Sequence, residues 1–280
     1  MTHGEAAEGT GRTIYAVLGD PVAHSLSPLI HNEAFRAAGR NAVYVARRVD
    51  ADECGEVARN LALAGGGGNV TLPHKELVVP FLDRQTPAVS ATGACNTFWA
   101  DDGEVWGDNT DVEGFKGTWR GAFADVESRV QDPVSILVLG AGGAARAVLF
   151  GLLGSVADSR ILLWNRTAAN ARRLVRHFDD SRLRIVPDWR TAEPDVVVNA
   201  TSAGLYGFGM PIDPGELARC PLALIDLVYT PEDTPLCRSA KDLSIRVTDG
   251  RDMLVRQALA SQARWFGERP PIEVMRRALP

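Results

Sequence analysis

Lysine is nearly missing from this chain. Of its 30 lysine and arginine residues only Lys75, Lys116 and Lys241 are lysines. A chain that carries its positive charge on arginine keeps an amine where an amine has a use, because an amine can release its proton near neutral pH and a guanidinium cannot. Cysteine is scarce as well. Cys54, Cys95, Cys220 and Cys237 lie far apart and form no C-x-x-C or metal-ligand spacing, so they read as small core or loop residues in a reducing compartment. No apolar run reaches the roughly 18 residues that a membrane span needs. There is no long basic run and the net charge is −5, which sets nucleic acid aside as a partner. Met1–Arg12 lacks the basic start and apolar run of a signal peptide, and residues 1–10 read as a loose tail. What remains is a cytoplasmic α/β chain of 280 residues, 45% apolar, long enough for two domains.

The polar residues of interest collect at strand ends. Thr13 to Gly19 reads as a buried first strand that stops at Gly19-Asp20-Pro21. His24-Ser25-Leu26-Ser27-Pro28 follows, with Ser27 as N-cap and Pro28 at the first helical position of a helix reaching about Gly39. Ser25 is not needed for that cap. Its hydroxyl either faces a strand-end cleft or is one of two turn serines. Ala42 to Val49 is a second strand and Asp52 to Ala64 a helix capped at Asp52. After four glycines, Asn69-Val70-Thr71-Leu72 reads as a third strand stopped by Pro73. Asn69, Thr71 and Lys75 then sit where parallel sheets bind ligands. Lys75 either serves such a site or simply opens a short helix to Leu82. Gly93 to Trp99 and Val105 to Asp111 flank Asp101-Asp102-Gly103, a hairpin signal. A hairpin brings its ends together, so Asn96 and Asp111 can share one site; Asp111 can equally cap the helix from Val112 to about Phe123. His24, His31 and His74 have no metal-ligand spacing and read as local hydrogen-bonding groups.

After Asp132-Pro133 the pattern changes. Val134 to Leu139 is a continuous apolar run, as in a strand buried on both faces. It leads into Gly140-Ala141-Gly142-Gly143-Ala144-Ala145. Gly140 suits the tight turn and Gly142 a close backbone approach to a pyrophosphate seated on the next helix N-terminus. Between a strand and a helix, and followed by a strand at Ile161 to Trp164, this dinucleotide pattern is specific. The second strand ends in Asn165-Arg166-Thr167, with no acid before Asp179. A carboxylate there would hold the ribose 2′-hydroxyl of NAD; Arg166 would instead pair with a 2′-phosphate, which favours NADP. Strands at Asp195 to Asn199, Leu222 to Asp226 and Ser244 to Thr248 complete a doubly wound sheet. The polar residues after them, including Thr201, would line the nicotinamide side of the crevice. Helices from about Asp252 to Phe266 and Ile272 to Leu279 close the chain and can pack back on the first half. The expected division is a discontinuous substrate half, residues 11–111 and 251–280, around a Rossmann nucleotide half, residues 112–250.

Assembled in this order, the motifs resemble the shikimate dehydrogenase family from about Tyr15 to Gly267. His24-Ser25-Leu26-Ser27-Pro28, Asn69-Val70-Thr71-Leu72-Pro73-His74-Lys75, Gly93-Ala94-Cys95-Asn96-Thr97, Asn109-Thr110-Asp111, the Gly140 loop, Asn165-Arg166-Thr167, Asp226 to Leu236 and Met253 to Ala258 carry the likeness. The resemblance implies reversible reduction of 3-dehydroshikimate to shikimate with NADPH, with Lys75 and Asp111 as the acid/base pair. It implies Ser25, Ser27 and Tyr229 on the substrate carboxylate, and Asn69, Thr71, Asn96 and Gln257 on ring hydroxyls. It also implies Gly140, Ala141, Gly142, Gly143, Ala144, Asn165, Arg166, Thr167, Thr201, Leu227 and Gly250 on the cofactor. Three positions depart from the family pattern. Asn170 stands where NADP-dependent members often carry a second arginine, Asp252 where glycine is usual, and Val112 in place of a glycine. Quinate or aminoshikimate with NAD, and a nucleotide sensor without catalysis, remain as alternatives. The partners expected are small molecules only, with neither nucleic acid nor membrane, in a monomer or homodimer.

Overall fold

The first apolar run, Thr13–Gly19, is a strand (β1) at the heart of one of two six-stranded sheets. The computed structural model describes residues 11–130 and 133–280, so the expected tail over residues 1–10 lies outside the described residues. After β1 come α1 (Ser27–Ala37), β2 (Ala42–Arg48), α2 (Cys54–Leu63), β3 (Gly67–Val70), β4 (Arg84–Gln85), α3 (Pro87–Thr92), β5 (Thr97–Asp101), β6 (Glu104–Asp108) and α4 (Thr110–Ala124). The first sheet has the order β2-β1-β3-β5-β6-β4 and is mixed, with β3–β5 and β5–β6 antiparallel. The hairpin turn falls at Asp102-Gly103, both left-handed (φ 49° and 77°), as its tight geometry demands.

The second sheet is wholly parallel. It is built from β7 (Val134–Leu139), α5 (Gly143–Leu153), β8 (Ser159–Trp164), α6 (Ala168–Phe178), β9 (Leu183–Ile185), β10 (Val196–Asn199), β11 (Ala223–Asp226), α7 (Pro235–Asp242) and β12 (Arg246–Thr248). Its order is β12-β11-β10-β7-β8-β9, the doubly wound arrangement expected. All six residues of β7 are buried, because β7 lies between β8 and β10 with helices on both faces. The chain then returns. α8 (Gly250–Phe266) and α9 (Ile272–Arg276) pack with α1, and α8 lies along α4 and against β3 and β5. No described helix is long and apolar enough to cross a membrane.

Four local expectations are corrected. The third strand begins at Gly67 and not at Asn69, and ends at Val70. The glycines belong to the ladder, because a side chain on Gly67 would strike the Phe98 carbonyl and one on Gly68 the Ala16 carbonyl. No helix runs from Lys75 to Leu82. The segment is a series of turns with a single 3-10 turn at Val79–Phe81, since Pro80 offers no N–H and disfavours helix in the residue before it. Asp52 does not cap α2; the Asp50 carbonyl accepts the Glu53 and Cys54 N–H groups instead. Ser27 does not cap α1 either. Leu26 provides the first helical carbonyl, and Ser25 Oγ accepts the Ser27 N–H at 3.3 Å. Three elements were not expected: β4, α3 and β9.

A polar clamp lies on the outer edge of the first sheet. The side-chain amide of Asn32 donates to the Tyr44 carbonyl and accepts from the Tyr44 N–H, both at 2.8 Å. Behind Tyr44, His31 is fully buried and stacks on its ring at 4.3 Å. His31 Nδ1 faces Gln262 of α8 and His74 Nε2 donates to the Val49 carbonyl, so neither bonds locally as expected: the partners come from distant chain. Burial pushes the His31 imidazole from 6.5 down to about 3. The folded chain therefore keeps it neutral while the unfolded chain takes up a proton as pH falls below about 6.5, so stability is lost on acidification through that window. We predict that wild type loses up to about 1.4 kcal/mol per pH unit more than His31→Phe between about pH 6 and about pH 4, read from urea midpoints. Parallel curves would remove His31 from the acid response.

Candidate active site

The end of β3, the β5–β6 hairpin and the start of α4 deliver their polar groups to one place. Lys75 Nζ donates to Asp111 Oδ2 at 2.5 Å, with the two side chains 15% and 9% exposed. Asp111 therefore does not cap α4; it lies inside the first turn, and its second oxygen, Oδ1, accepts from Asn96 Nδ2 at 2.8 Å. The orientation of the Asn96 amide follows from its surroundings. The Thr110 backbone N–H can only donate, and it lies 2.7 Å from Asn96 Oδ1. The hydroxyls of Thr97 and Thr110 also donate to Oδ1, so Nδ2 has to face Asp111. Gln257 donates its amide to the Leu254 carbonyl at 2.8 Å and turns Oε1 toward Asn96 Nδ2, 3.5 Å away. Gly114 lets α4 come this close; a Cβ there would sit 2.9 Å from that of Gln257.

Asn69 is held differently from what its motif implies. Its Oδ1 accepts from the Tyr44 phenol at 2.7 Å, and its Nδ2 faces the Asn96 carbonyl, Thr97 Oγ1 and Ser261 Oγ. Its capacity is filled inside the protein, so it supports the site from behind and has no donor left for a ligand hydroxyl. Thr71 is half-buried at the strand end, with its N–H on the Leu18 carbonyl. Ser25, Ser27 and Tyr229 meet beyond it, at the start of α1. Burial raises the Tyr229 phenol, partly offset by a hydrogen bond with Ser25, and the nearby Asp111 charge raises it further. Tyr229 thus stays protonated and able to donate. Sequence reasoning missed Tyr44, Thr97, Thr110 and Ser261. Ser261 had a signal: it follows Gln257 by four residues and so shares its helix face.

The nucleotide side gathers at the carboxyl ends of the parallel strands. Gly140 is left-handed (φ 107°), and its turn lies against the loop after β10, where a Cβ would come 2.8 Å from the Ala200 carbonyl. Those two loops meet where the strand order reverses. Gly142 is open on its Cβ side, and α5 begins at Gly143 with no side chain capping its free N–H groups. Ala141 and Ala144 pack on the core beneath this loop. A phosphate fits there, and Arg166 beside it is exposed and in no ion pair among the described residues. Asn165 Nδ2 donates to the Thr167 carbonyl and so shapes that turn. Thr201 is fixed by Asn199 at 2.7 Å, and Gly250 presses on the Leu227 carbonyl with no room for a Cβ. The donor set fits a phosphorylated dinucleotide. A Cβ on Gly143 would sit 3.5 Å from Lys75 Cδ, so the amine's stem faces the phosphate loop across the space that a methyl would occupy.

The departures from the family pattern find partners. Asp252 turns away from this crevice. It accepts from Thr118 at 2.8 Å, Arg256 at 2.7 Å and Arg276 at 3.1 Å, tying α8 to α4 and α9. Burial alone would raise its carboxyl, but these hydrogen bonds outweigh burial and hold it below the ordinary value. Asn170 accepts from Arg173 at 2.9 Å. Val112 is simply buried on α4. No group of three His, Cys, Asp or Glu among the described residues could hold a metal ion.

Comparison with known proteins adds the rest. The model described as shikimate dehydrogenase substrate binding domain matches residues 17–98, and that of the shikimate 5′-dehydrogenase C-terminal domain matches residues 250–279. The shikimate dehydrogenase (NADP(+)) of Azorhizobium caulinodans is 40% identical over 265 residues, 92% of each chain. A crystal structure of shikimate dehydrogenase from Aquifex aeolicus superposes with a TM-score of 0.84 at 33% identity, over 95% of this chain and 97% of that one. The Thermus thermophilus enzyme, solved with NADP(H) and shikimate, gives 0.82 at 35% identity, over 95% and 98%. The two matched models enclose the lysine motif and Gln257 at opposite ends of the sequence, and the fold brings those ends to one site: the chain belongs to the shikimate dehydrogenase family.

Proposed function

We propose that this protein is an NADP-dependent shikimate dehydrogenase, interconverting 3-dehydroshikimate and shikimate. The observation that carries the reading is the Lys75–Asp111 pair at 2.5 Å, facing the first residue of the phosphate helix. Residues 11–111 and 251–280 serve as the substrate half and residues 112–250 as the NADP half, in a cytoplasmic enzyme.

NADPH, when bound, supplies the hydride that adds to the ring carbonyl carbon. Negative charge grows on the carbonyl oxygen, and Lys75 Nζ gives that oxygen its proton. Asp111 orients the amine through Oδ2 while Asn96 fixes Oδ1, so the carboxylate cannot rotate out of line. In the oxidative direction Lys75 takes the hydroxyl proton back. Ser25, Ser27 and the protonated Tyr229 donate to the substrate carboxylate. Thr71, Asn96 and Gln257 meet ring hydroxyls, and Asn69 holds the strand end that presents Thr71. Gly140 to Ala144 receive the pyrophosphate, and Asn165, Arg166 and Thr167 the adenosine 2′-phosphate. Thr201, Leu227 and Gly250 line the nicotinamide end.

Initial rates with shikimate and quinate, each with NADP and NAD, test the reading. We expect shikimate with NADP to lead NAD by about 10–100-fold, the span of one charge-assisted pair at Arg166. An NAD preference would overturn the role of Arg166, and a quinate preference the substrate. Turnover with none of the four, alongside tight NADPH binding, would favour a sensor.

A further inference from the structure

Two hydrogen bonds and one ion pair join the two halves at a point that the chemistry above leaves unused. The short helix α3 ends at Gly93, and its last carbonyls, Ala91 O and Thr92 O, have no helical partners. Two donors arrive from the other half. Arg146 Nη1 donates to Thr92 O at 3.1 Å. His177 Nε2 lies 2.7 Å from Ala91 O, and since a carbonyl only accepts, Nε2 carries the hydrogen. Arg146 also sets its Nε 3.5 Å from the carboxylate of Glu76, the residue after Lys75. The Arg146 side chain is only 17% exposed, and that Nε is buried with no hydrogen-bond partner.

The end of α3 is wired directly to the reacting groups. Two residues past Gly93, the Cys95 N–H donates to the Lys75 carbonyl at 2.8 Å, and the next residue is Asn96. Whatever fixes Thr92 therefore fixes the backbone of Lys75 and the amide that orients Asp111. The donors in turn are wired to the nucleotide loops. Arg146 lies one turn into α5, the helix that opens on the phosphate loop, and its N–H bonds the Gly142 carbonyl. His177 lies near the end of α6, the helix that starts after Asn165-Arg166-Thr167.

We propose that Arg146 and His177 are positioning residues that set the register of the Lys75 turn against the cofactor loops, so that amine and nicotinamide meet in line; this rests on the dehydrogenase reading above. Each of the two helices that carry a nucleotide loop grips the same helix end, and Arg146 adds a hold on Glu76. Both residues act through Lys75 and Asn96 and touch neither ligand. Misplacing a reacting group by about 1 Å can cost 10²-fold in rate, so a loss well above experimental error is expected from either.

The test is a set of four variants of the full chain: Arg146→Ala, Arg146→Lys, His177→Ala and His177→Gln. Arg146→Ala lowers kcat by about tenfold and His177→Ala by about threefold. Affinities for NADPH alone and for shikimate alone, measured by titration, stay within about twofold, because neither ligand is touched. The deuterium isotope effect on kcat, with shikimate labelled at the carbon that gives up hydride, rises as the chemical step slows. His177→Gln restores wild-type kcat, since its amide donates from nearly the same place; Arg146→Lys restores only part, since one ammonium cannot reach both Thr92 O and Glu76 as a fork does. Unchanged kcat and isotope effect in both alanine variants overturn the proposal. So does a fall in kcat matched by loss of thermal midpoint with no rise in the isotope effect, the mark of a merely structural contact. Wild type without turnover of any substrate overturns both this proposal and the dehydrogenase reading, whereas active wild type with indifferent variants overturns this one alone.

Discussion

Lys75→Ala lowers kcat by about 10³-fold and moves the KM for shikimate by no more than about threefold. The amine donates to Asp111, and its stem faces the phosphate loop. Its removal takes away the proton donor of the chemical step and leaves the carboxylate and hydroxyl contacts of the substrate in place. Lys75→Arg keeps the charge and the contact with Asp111, yet is expected to be nearly as slow, because a guanidinium does not release a proton near neutral pH. The pair of variants separates proton transfer from electrostatics. Steady-state rates in both directions decide it; a Lys75→Arg enzyme with near-native kcat would mean that charge alone suffices.

Asn96→Leu costs about 2–4 kcal/mol of stability and at least about 10²-fold in kcat/KM. Asn96 is 2% exposed, and leucine would fill its space. The loss is polar. Thr110 N–H and Asp111 Oδ1 lose their partners, and the hydroxyls of Thr97 and Thr110 lose a shared acceptor. A buried donor left unpaired costs about 1–3 kcal/mol by itself. Asp111, no longer held at Oδ1, can turn away from Lys75. Ser261→Ala is the control. The neighbours of the Ser261 hydroxyl keep other partners: Asn69 Nδ2 has the Asn96 carbonyl, both threonines have Asn96 Oδ1, and the Gln257 carbonyl, which accepts from Ser261 Oγ at 3.0 Å, lies inside α8. Its cost should stay near 1 kcal/mol in urea unfolding. Equal costs for the two variants would show that the network has no centre at Asn96.

Long periodic or continuous apolar segments were legible. The bounds of β1 and β7, the Asp102-Gly103 turn and the order of the parallel strands could be read because each follows from local chemistry. So could the meeting of Asn96 and Asp111, since a hairpin brings its ends together, whereas the pairing of Lys75 with Asp111 was implied only by the family resemblance. The failures share a cause: they depend on distant chain. Gly67 and Gly68 look like loop, but they are strand because the Phe98 and Ala16 carbonyls crowd them. Asn69 looks like a ligand group until Tyr44 and Ser261, far away in sequence, use up its bonds. Asp252 looks out of place beside a cofactor until Thr118 and Arg276 take it elsewhere. The short helix α3, of six residues, has too little periodicity to announce itself.

The return of α8 to the first sheet has a temporal consequence. A chain emerging from the ribosome presents its N-terminal half first. β1, β3 and the hairpin can pair at once and Asn96 can meet Asn69, Thr97 and Thr110, but the last bond of each waits for Ser261, some 150 residues or more downstream. Until α8 arrives, the nascent first half holds a half-filled polar interior. The reacting residues are therefore translated early and assembled last, and a truncated product ending before Gly250 would contain both Lys75 and Asp111 without the helix that completes their surroundings.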